Sequence, residues 1–209
     1  RGTCRDPARL RALKILGIDA ALFNGGKPME PTNAIRDATH VLLSIPPGCD
    51  GDPAFFHHAE QIAKTRTVKW VGYLSTTGVY GNRDGGWVDE KSDLRPSSSR
   101  SKRRIEAERM WLRWGDYNGI PTQIFRLAGI YGPGRSVADQ IKKGTAMRIS
   151  KPGQAFSRIH VEDIASVLAA SIANPRPGGI YNVCDDEPAP SSEVTSYVCG
   201  LMNIAPPPL

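Results

Sequence analysis

The chain has no long hydrophobic run, no closely spaced cysteine pair and no extended block of like charge, and each absence removes a class of protein. No apolar stretch reaches the roughly 20 residues of a membrane helix, and no charged-then-apolar leader is visible, so a soluble cytoplasmic protein with no membrane partner is expected. Cys4, Cys49, Cys184 and Cys199 form no C-x-x-C pair, and no histidine stands at zinc spacing. They read as reduced, buried thiols of an intracellular protein, and no metal is expected. His57 and His58 share a helix with no acidic or cysteine partner at metal spacing, which agrees. The net charge of +6 is spread along the 209 residues, with no second basic stretch and no aromatic interleaving in the first. A nucleic-acid partner is therefore not expected, and an anionic small molecule accounts for the balance. Repeats are absent, and the only low-complexity tract is the serine run at 97–99.

What is present is an alternation of apolar runs with helical patterns, the sign of βαβ units and a mainly parallel sheet. Asp6 caps a predicted helix that starts at Pro7, carries Leu10, Leu13 and Leu16 as its stripe and stops at Gly17. AALF at 20–23 predicts a short strand, and HVLLSIPP at 40–47 a strand buried on both faces and stopped by two prolines. AFFHHAEQIAKT at 54–65 is helical, and KWVGYLST at 69–76 is the next central strand. A glycine-rich loop containing a tryptophan, at 81–96, leads into a helix with a basic opening that ends at Gly119. PTQIFRLAGIYG at 121–132 predicts a strand running into a glycine turn, followed by a short helix near 138–143. A helix at 162–175, a strand at 179–185 and a serine-capped last helix from Ser191 complete the pattern.

The most specific feature is LSTTGVYG at 74–81, a buried strand that delivers hydroxyls at its carboxyl end, where open α/β sheets place their ligand contacts. It is followed in order by WVDE at 87–90, FRLAGIYGPGR at 125–135, RIHVEDIA at 158–165 and IYNVCDDEP at 180–188. In this order and spacing the segments resemble the extended short-chain dehydrogenase/reductase family, in its atypical epimerase-like or dehydratase-like members. The resemblance implies a Rossmann-like, doubly wound, mainly parallel α/β domain that binds NAD or NADP, with a smaller carboxyl-terminal part shaping a site for a small or nucleotide-linked carbonyl or hydroxyl compound. It implies that Thr76 is the hydroxyl that bonds the reacting oxygen, with Ser75 beside it in the cofactor groove. Ser44, Ile45 and Pro46 match the loop passing the ribose and pyrophosphate, and Leu127, Ala128 and Ile130 the segment along the nicotinamide. Sheet core is the competing reading for the apolar positions among these. Homodimers are common among similar proteins.

The family's G-x-G-x-x-G turn, which lets backbone approach a pyrophosphate at a helix amino terminus, is missing. RGTCRDP at the start reads instead as the end of the second strand and the beginning of the second helix, which puts roughly 30 residues of a first βα unit upstream. Residues 1–182 are thus expected to be a dinucleotide-binding domain without that unit, and 183–209 the start of the substrate-side part. Thr3 and Arg5 fall at the end of the second strand, where an arginine suits a 2′-phosphate through charge and a forked donor. NADP is favoured over NAD, against the alternative of a solvated arginine near a helix start.

The basic run SSSRSKRRIEAE at 97–108 occupies the helix on which the family carries a Tyr-x-x-x-Lys pair. Register from Glu108 puts Arg100 at the tyrosine and Arg104 at the lysine; a frame shifted by two puts Ser98 and Lys102 there. No tyrosine appears either way, and arginine stays protonated at any working pH. Three readings remain open: a solvated helix start, an anion clamp made by Arg100 and Arg104, and a nucleic-acid patch, which has least in its favour. Tyr80 and Tyr131 are the other phenols near the strand ends; packing is the expected role of Tyr80, with substrate contact the alternative, and either is a candidate substitute proton donor, although the sequence offers no partner to lower its pKa. His160 and Asp163 read as the entrance to a helix rather than an acid/base pair. Two functions follow: an NADP- or NAD-dependent oxidoreductase or epimerase-like enzyme, or a dinucleotide-binding sensor or scaffold that has lost catalysis.

Overall fold

Asp52 shows how the sequence builds this fold: it precedes Pro53, and its carboxylate accepts hydrogen bonds from the amides of Ala54 (2.8 Å) and Phe55 (3.1 Å), opening a helix. The computed structural model describes residues 1–30, 32–151 and 153–209. Its elements are β1 (Gly2–Cys4), α1 (Pro7–Ile15), β2 (Ala20–Leu22), β3 (His40–Leu43), α2 (Pro53–Lys64), β4 (Trp70–Thr76), α3 (Ser99–Asn118), β5 (Thr122–Leu127), β6 (Gly129–Tyr131), α4 (Val137–Lys142), β7 (Arg158–His160), α5 (Val161–Ala173), β8 (Ile180–Val183) and α6 (Ser191–Leu201). Single 3₁₀ turns lie at Thr32–Ile35 and Thr77–Tyr80.

Strand order in the main sheet is β3-β4-β5-β8. β3 and β4 are parallel, in register from His40 opposite Trp70 to Leu43 opposite Tyr73. β1 pairs parallel with β2, and β6 with β7, as separate two-stranded sheets. Helices connect the parallel strands, which gives the mainly parallel α/β sheet expected from the alternating pattern and the Rossmann-like, doubly wound architecture that the family resemblance implies. Two compact units are formed, one from Arg1–Leu74, Lys102–Ile124 and Pro175–Gly179, the other from Ser75–Ser101, Phe125–Asn174 and Ile180–Leu209. Trp70, Tyr73, Ile62 and Trp111 are fully buried in the first; Tyr80, Val79 and Phe125 are in the second.

Several expectations change. β3 ends at Leu43 rather than running to Pro46, and it is not buried on both faces: Leu42 is 47% exposed on this outer strand. The single strand read at 121–132 is two, because the chain leaves the main sheet after Ala128, whose amide bonds Val183, and joins β7 from Gly129, whose amide bonds Ser157. β7 leaves no signal in the sequence pattern, since three residues are too few for a period to register. In α1, Leu10 and Leu13 are only half-buried and Leu16 is 73% exposed. Of the cysteines, all free, only Cys199 is buried, while Cys49 and Cys184 are exposed. Among the described residues no helix is long and apolar enough to cross a membrane.

Buried His58 accepts the amide hydrogen of Met29 at Nε2 (3.1 Å) and faces Gln61 Oε1 with Nδ1 (3.3 Å), so the bonds require the neutral ring protonated at Nδ1. Burial, the largest cause, lowers its pKa below 6.5. The unfolded chain then binds the proton more readily, so the stability held above pH 6.5 is lost as the pH falls through the lowered folded value. Urea melts between pH 7.5 and 5 are expected to show this decline, and His58→Gln, which cannot titrate, to remove that part of the slope.

Candidate functional site

At the carboxyl end of β4 the side chain of Thr76 caps the 3₁₀ turn, accepting the Gly78 amide at 3.1 Å. The turn exits through Gly81, whose φ is +71° and where a Cβ would lie 1.8 Å from the Arg95 carbonyl oxygen, so no other residue fits. Between them Tyr80 drops into the second unit, 2% exposed. Its hydroxyl accepts from Arg126 Nη1 (2.8 Å) and donates to Asn182 Oδ1 (2.7 Å). The Arg126 guanidinium carbon also stands 5.1 Å from the Tyr80 ring centroid, and Nη1 reaches the Glu90 carbonyl at 3.5 Å. The Asn182 amide donates to Glu90 Oε1 at 2.6 Å. Tyr80 thereby ties β5, β8 and the loop after the turn into one network.

Beside this network the second unit holds a cavity of about 1580 Å³. Thr77, Gly78, Ser97 and Ser101 line it near the end of β4, Tyr80 and Trp87 along the loop, and Ile130 and Tyr131 from β6. Five cationic side chains line it against the carboxylates of Asp84 and Asp139. Two of the five are spent: Arg83 donates to the carbonyls of Tyr80 and Asp93, and Arg158 to those of Phe156 (2.9 Å) and Ala189 (3.0 Å). Asp139 is spent on the Ser136 capping box, and the Ser136 hydrogen bond holds its carboxyl below the usual range. Exposed Arg135 and Lys151 make no side-chain hydrogen bond or ion pair among the described residues, which leaves the cavity with a positive balance. Tyr131 packs its ring edge-on to His160 at 5.2 Å, and its hydrogen bond to Asp185, followed by burial, raises its pKa. His160 caps α5 through the Glu162 amide, as its place before a helix implied.

Of the residues singled out in the sequence, Tyr80 and Ile130 line this cavity; Thr76 is half-buried beside the turn, and Ser75, Leu127 and Ala128 are buried. In the first unit, exposed Thr3 and Arg5 flank the end of β1, and Ser44, Ile45 and Pro46 follow β3. The basic run divides. Ser98 Oγ caps α3 by accepting the Ser101 amide (3.1 Å), and Arg100 is exposed. Arg104 is 8% exposed, with Nη1 donating to the Tyr73 hydroxyl (3.0 Å) and the Leu74 carbonyl (2.8 Å). Burial raises the pKa of Tyr73 far above the ordinary phenol value, so it stays neutral. Asp52, whose second oxygen accepts from Trp111 Nε1 (3.1 Å), is raised by burial, with the Arg104 charge among the opposing influences.

Sequence reasoning gave no role to Trp87, Ser101, Arg126 or Asn182. Arg126 and Asn182 lie inside quoted motifs, but nothing in one sequence says that Tyr80 joins them. Tyr80→Phe removes an acceptor from buried Arg126 and a donor from half-buried Asn182 and is expected to destabilise the protein by about 1–3 kcal/mol in urea melts.

Comparison with known proteins places these features. The NAD dependent epimerase/dehydratase family matches over residues 59–184. A functionally unknown conserved protein from Silicibacter pomeroyi DSS is 47% identical, with a TM-score of 0.88 over 99% of this chain and 71% of that one. Protein YeeZ of Escherichia coli (strain K12) is 25% identical across 95% of this chain and 73% of its own length. The fold is also that of UDP-glucuronic acid 4-epimerase from Bacillus cereus, solved in complex with NAD, at 17% identity and a TM-score of 0.74 over 98% of this chain and 76% of that one. With more than half of its residues matched, and with the strand-end turn and parallel sheet in place, the chain belongs to the NAD dependent epimerase/dehydratase family.

Proposed function

We propose that the chain is an NAD(P)-binding oxidoreductase of the epimerase/dehydratase kind, with NADP preferred, acting on a small or nucleotide-linked carbonyl or hydroxyl compound. The observation that carries the reading is the cavity of about 1580 Å³, wide enough for a nucleotide-linked substrate, with residues that directly follow Thr76 in its wall. The unspent charges of Arg135 and Lys151 suit a phosphorylated or otherwise anionic substrate.

The residues present fit a dinucleotide at the level of donor chemistry. Arg5 is an exposed guanidinium with no partner among the described residues, at the carboxyl end of β1, where a forked donor meets a 2′-phosphate. Thr3, Ser44, Ile45, Pro46, Ser75, Leu127, Ala128 and Ile130 each lie near the carboxyl end of a strand, the edge that open α/β sheets give to ligands. A bound nicotinamide supplies the hydride donor or acceptor. The Thr76 hydroxyl orients the reacting oxygen, and Tyr80 positions the turn that carries it. Arg100 is the freer of the two helix arginines to hold an anion, while Arg104 acts on the end of β4 through Leu74. As to domains, residues 1–182 form the dinucleotide-binding part and 183–209 belong to the substrate-side part.

A second reading, a dinucleotide-binding sensor or scaffold without turnover, is favoured by one feature of the sequence: neither register of the helix, Arg100 with Arg104 or Ser98 with Lys102, offers the family's tyrosine, and arginine cannot exchange a proton. Titrating NADPH and NADH into the full chain, then assaying NADPH oxidation with a panel of carbonyl compounds, separates the two. Turnover that Thr76→Ala lowers supports the enzyme; binding without turnover supports the sensor; no binding of either nucleotide overturns both. Arg5→Ala is expected to weaken NADPH about ten-fold or more while leaving NADH nearly unchanged, the loss of a charge-assisted contact. Equal losses for both nucleotides would remove Arg5 from 2′-phosphate recognition.

A further inference from the structure

Arg104 is 8% exposed, and a guanidinium, which stays charged at any working pH, costs more to bury than an aliphatic side chain of its size. Stability alone gives no reason for it. Its bonds go to the end of β4: Nη1 donates to the Tyr73 hydroxyl at 3.0 Å and to the Leu74 carbonyl at 2.8 Å. The guanidinium carbon also stands 5.5 Å from the centroid of the Tyr73 ring, so the phenol grips the cation by its hydroxyl and by its face. The last β3–β4 pair is Leu43 with Tyr73. Arg104 therefore takes hold of the strand one residue past the end of that ladder, immediately before the hydroxyls of Ser75 and Thr76. The opening of α3 also meets the turn beyond. Ser98 caps the helix and donates to the Ser101 hydroxyl at 3.0 Å, and a Cβ on Gly78 would stand 3.4 Å from that hydroxyl and 3.4 Å from Thr76 Oγ1. Ser98, Ser101 and Arg104 follow at three-residue intervals, the spacing that keeps side chains on one side of a helix.

From this arrangement we infer that Arg104 is a positioning residue of the proposed site: it holds the end of β4 through Tyr73 and Leu74, and thereby sets Ser75 and Thr76, instead of binding an anion. This rests on the proposed function and takes Arg104 out of the anion clamp read in the basic run. Thr76 lies two residues from the held carbonyl and caps the turn through the Gly78 amide, so little chain stands between Leu74 and its hydroxyl to absorb a shift. A misplacement of about 1 Å costs on the order of 100-fold in rate. A lysine would bring the charge without the flat fork or the contact with the ring face.

Arg104→Lys keeps a positive charge near Asp52 and Glu108, whose carboxyls act on Tyr73 together with Arg104, and removes the fork. Tyr73→Phe keeps the ring and removes its hydroxyl. In the full chain, with a carbonyl compound that the parent reduces, Arg104→Lys is expected to lower kcat about ten-fold or more while KM and the NADP⁺ dissociation constant stay within about two-fold. Tyr73→Phe is expected to lose less in the same sense, because the Leu74 bond survives. Spectra of ¹⁵N-labelled protein supply a readout that needs no turnover: the amides of Ser75, Thr76 and Gly78 are expected to shift in both variants, and those of α6 to stay. If Arg104→Lys does not fold, Tyr73→Phe carries both readouts. A loss of NADP⁺ or inorganic pyrophosphate affinity of about ten-fold in Arg104→Lys would make the residue a ligand-binding cation and overturn the inference. A kcat equal to the parent's, or unmoved amides at Ser75, Thr76 and Gly78, would overturn it as well, with the proposed function left standing. If the parent reduces no carbonyl compound, the proposed function falls, and the spectra alone decide whether Arg104 sets the strand end.

Discussion

The second unit is organised around a guanidinium that has nowhere to go. Arg126 lies in β5 at 3% exposure, and a charge taken that far out of water is tolerated only when its donors are met. Tyr80 meets them with its hydroxyl and with its ring face, and the hydroxyl passes the constraint on to Asn182. The backbone amide of Asn182 itself holds the Glu90 carboxylate, so the loop from Gly81 to Arg95 is fixed at the same time as the strands. The bonds that satisfy this buried charge thus also brace the loop that carries Trp87 in the wall of the cavity. Low local dielectric strengthens each of these bonds and makes each omission costly, so such a network is kept whole or lost.

The first unit has a counterpart. Arg104 is buried on α3 and donates to Tyr73 and to the carbonyl of Leu74, the last residue of that unit. Its guanidinium carbon sits 5.5 Å from the Tyr73 ring centroid, again an arginine held by a phenol through both hydrogen bond and ring. Asp52 shares the surroundings and links α2 to α3 through Trp111. Each unit thus uses an Arg–Tyr pair where a core of aliphatic side chains would have served for stability alone, and both pairs act near the carboxyl ends of central strands, the edge on which an α/β fold places its chemistry.

Much of this fold is legible from residue types. Asp52–Pro53 announces α2, Gly119 ends α3, and the apolar run at 69–76 becomes the most continuously buried strand but one. Period and capping are local, and these elements are set locally. The break at Ala128 and the three-residue strand β7 are not, because a change of strand partner leaves no trace in hydrophobic period. The basic run is a sharper case. Arg100 and Arg104 are one turn apart on one helical face, yet one is exposed and the other buried, since burial depends on what each turn packs against. Motif register located the turn after β4, but a single sequence could not say that its tyrosine is locked to Arg126, nor that the nearby tryptophan stays in solvent.

For the proposed oxidoreductase, the phenols bear on where a proton comes from. Neither register of the basic helix offers a tyrosine, and arginine cannot exchange a proton, so the donor must come from elsewhere. The Tyr80 hydroxyl is taken on both sides, as acceptor from Arg126 and donor to Asn182, and releasing it would leave the buried guanidinium short of a partner. Tyr131 lines the cavity and is kept protonated by the hydrogen bond to Asp185, which raises its pKa. The Asp185 carboxylate makes that phenol a weaker acid than usual and outweighs the Arg158 charge, which acts the other way. The general acid of one direction is the general base of the other, so a phenol held in this state is poorly tuned for either, which is what the basic helix of this chain leaves the proposed enzyme to make good.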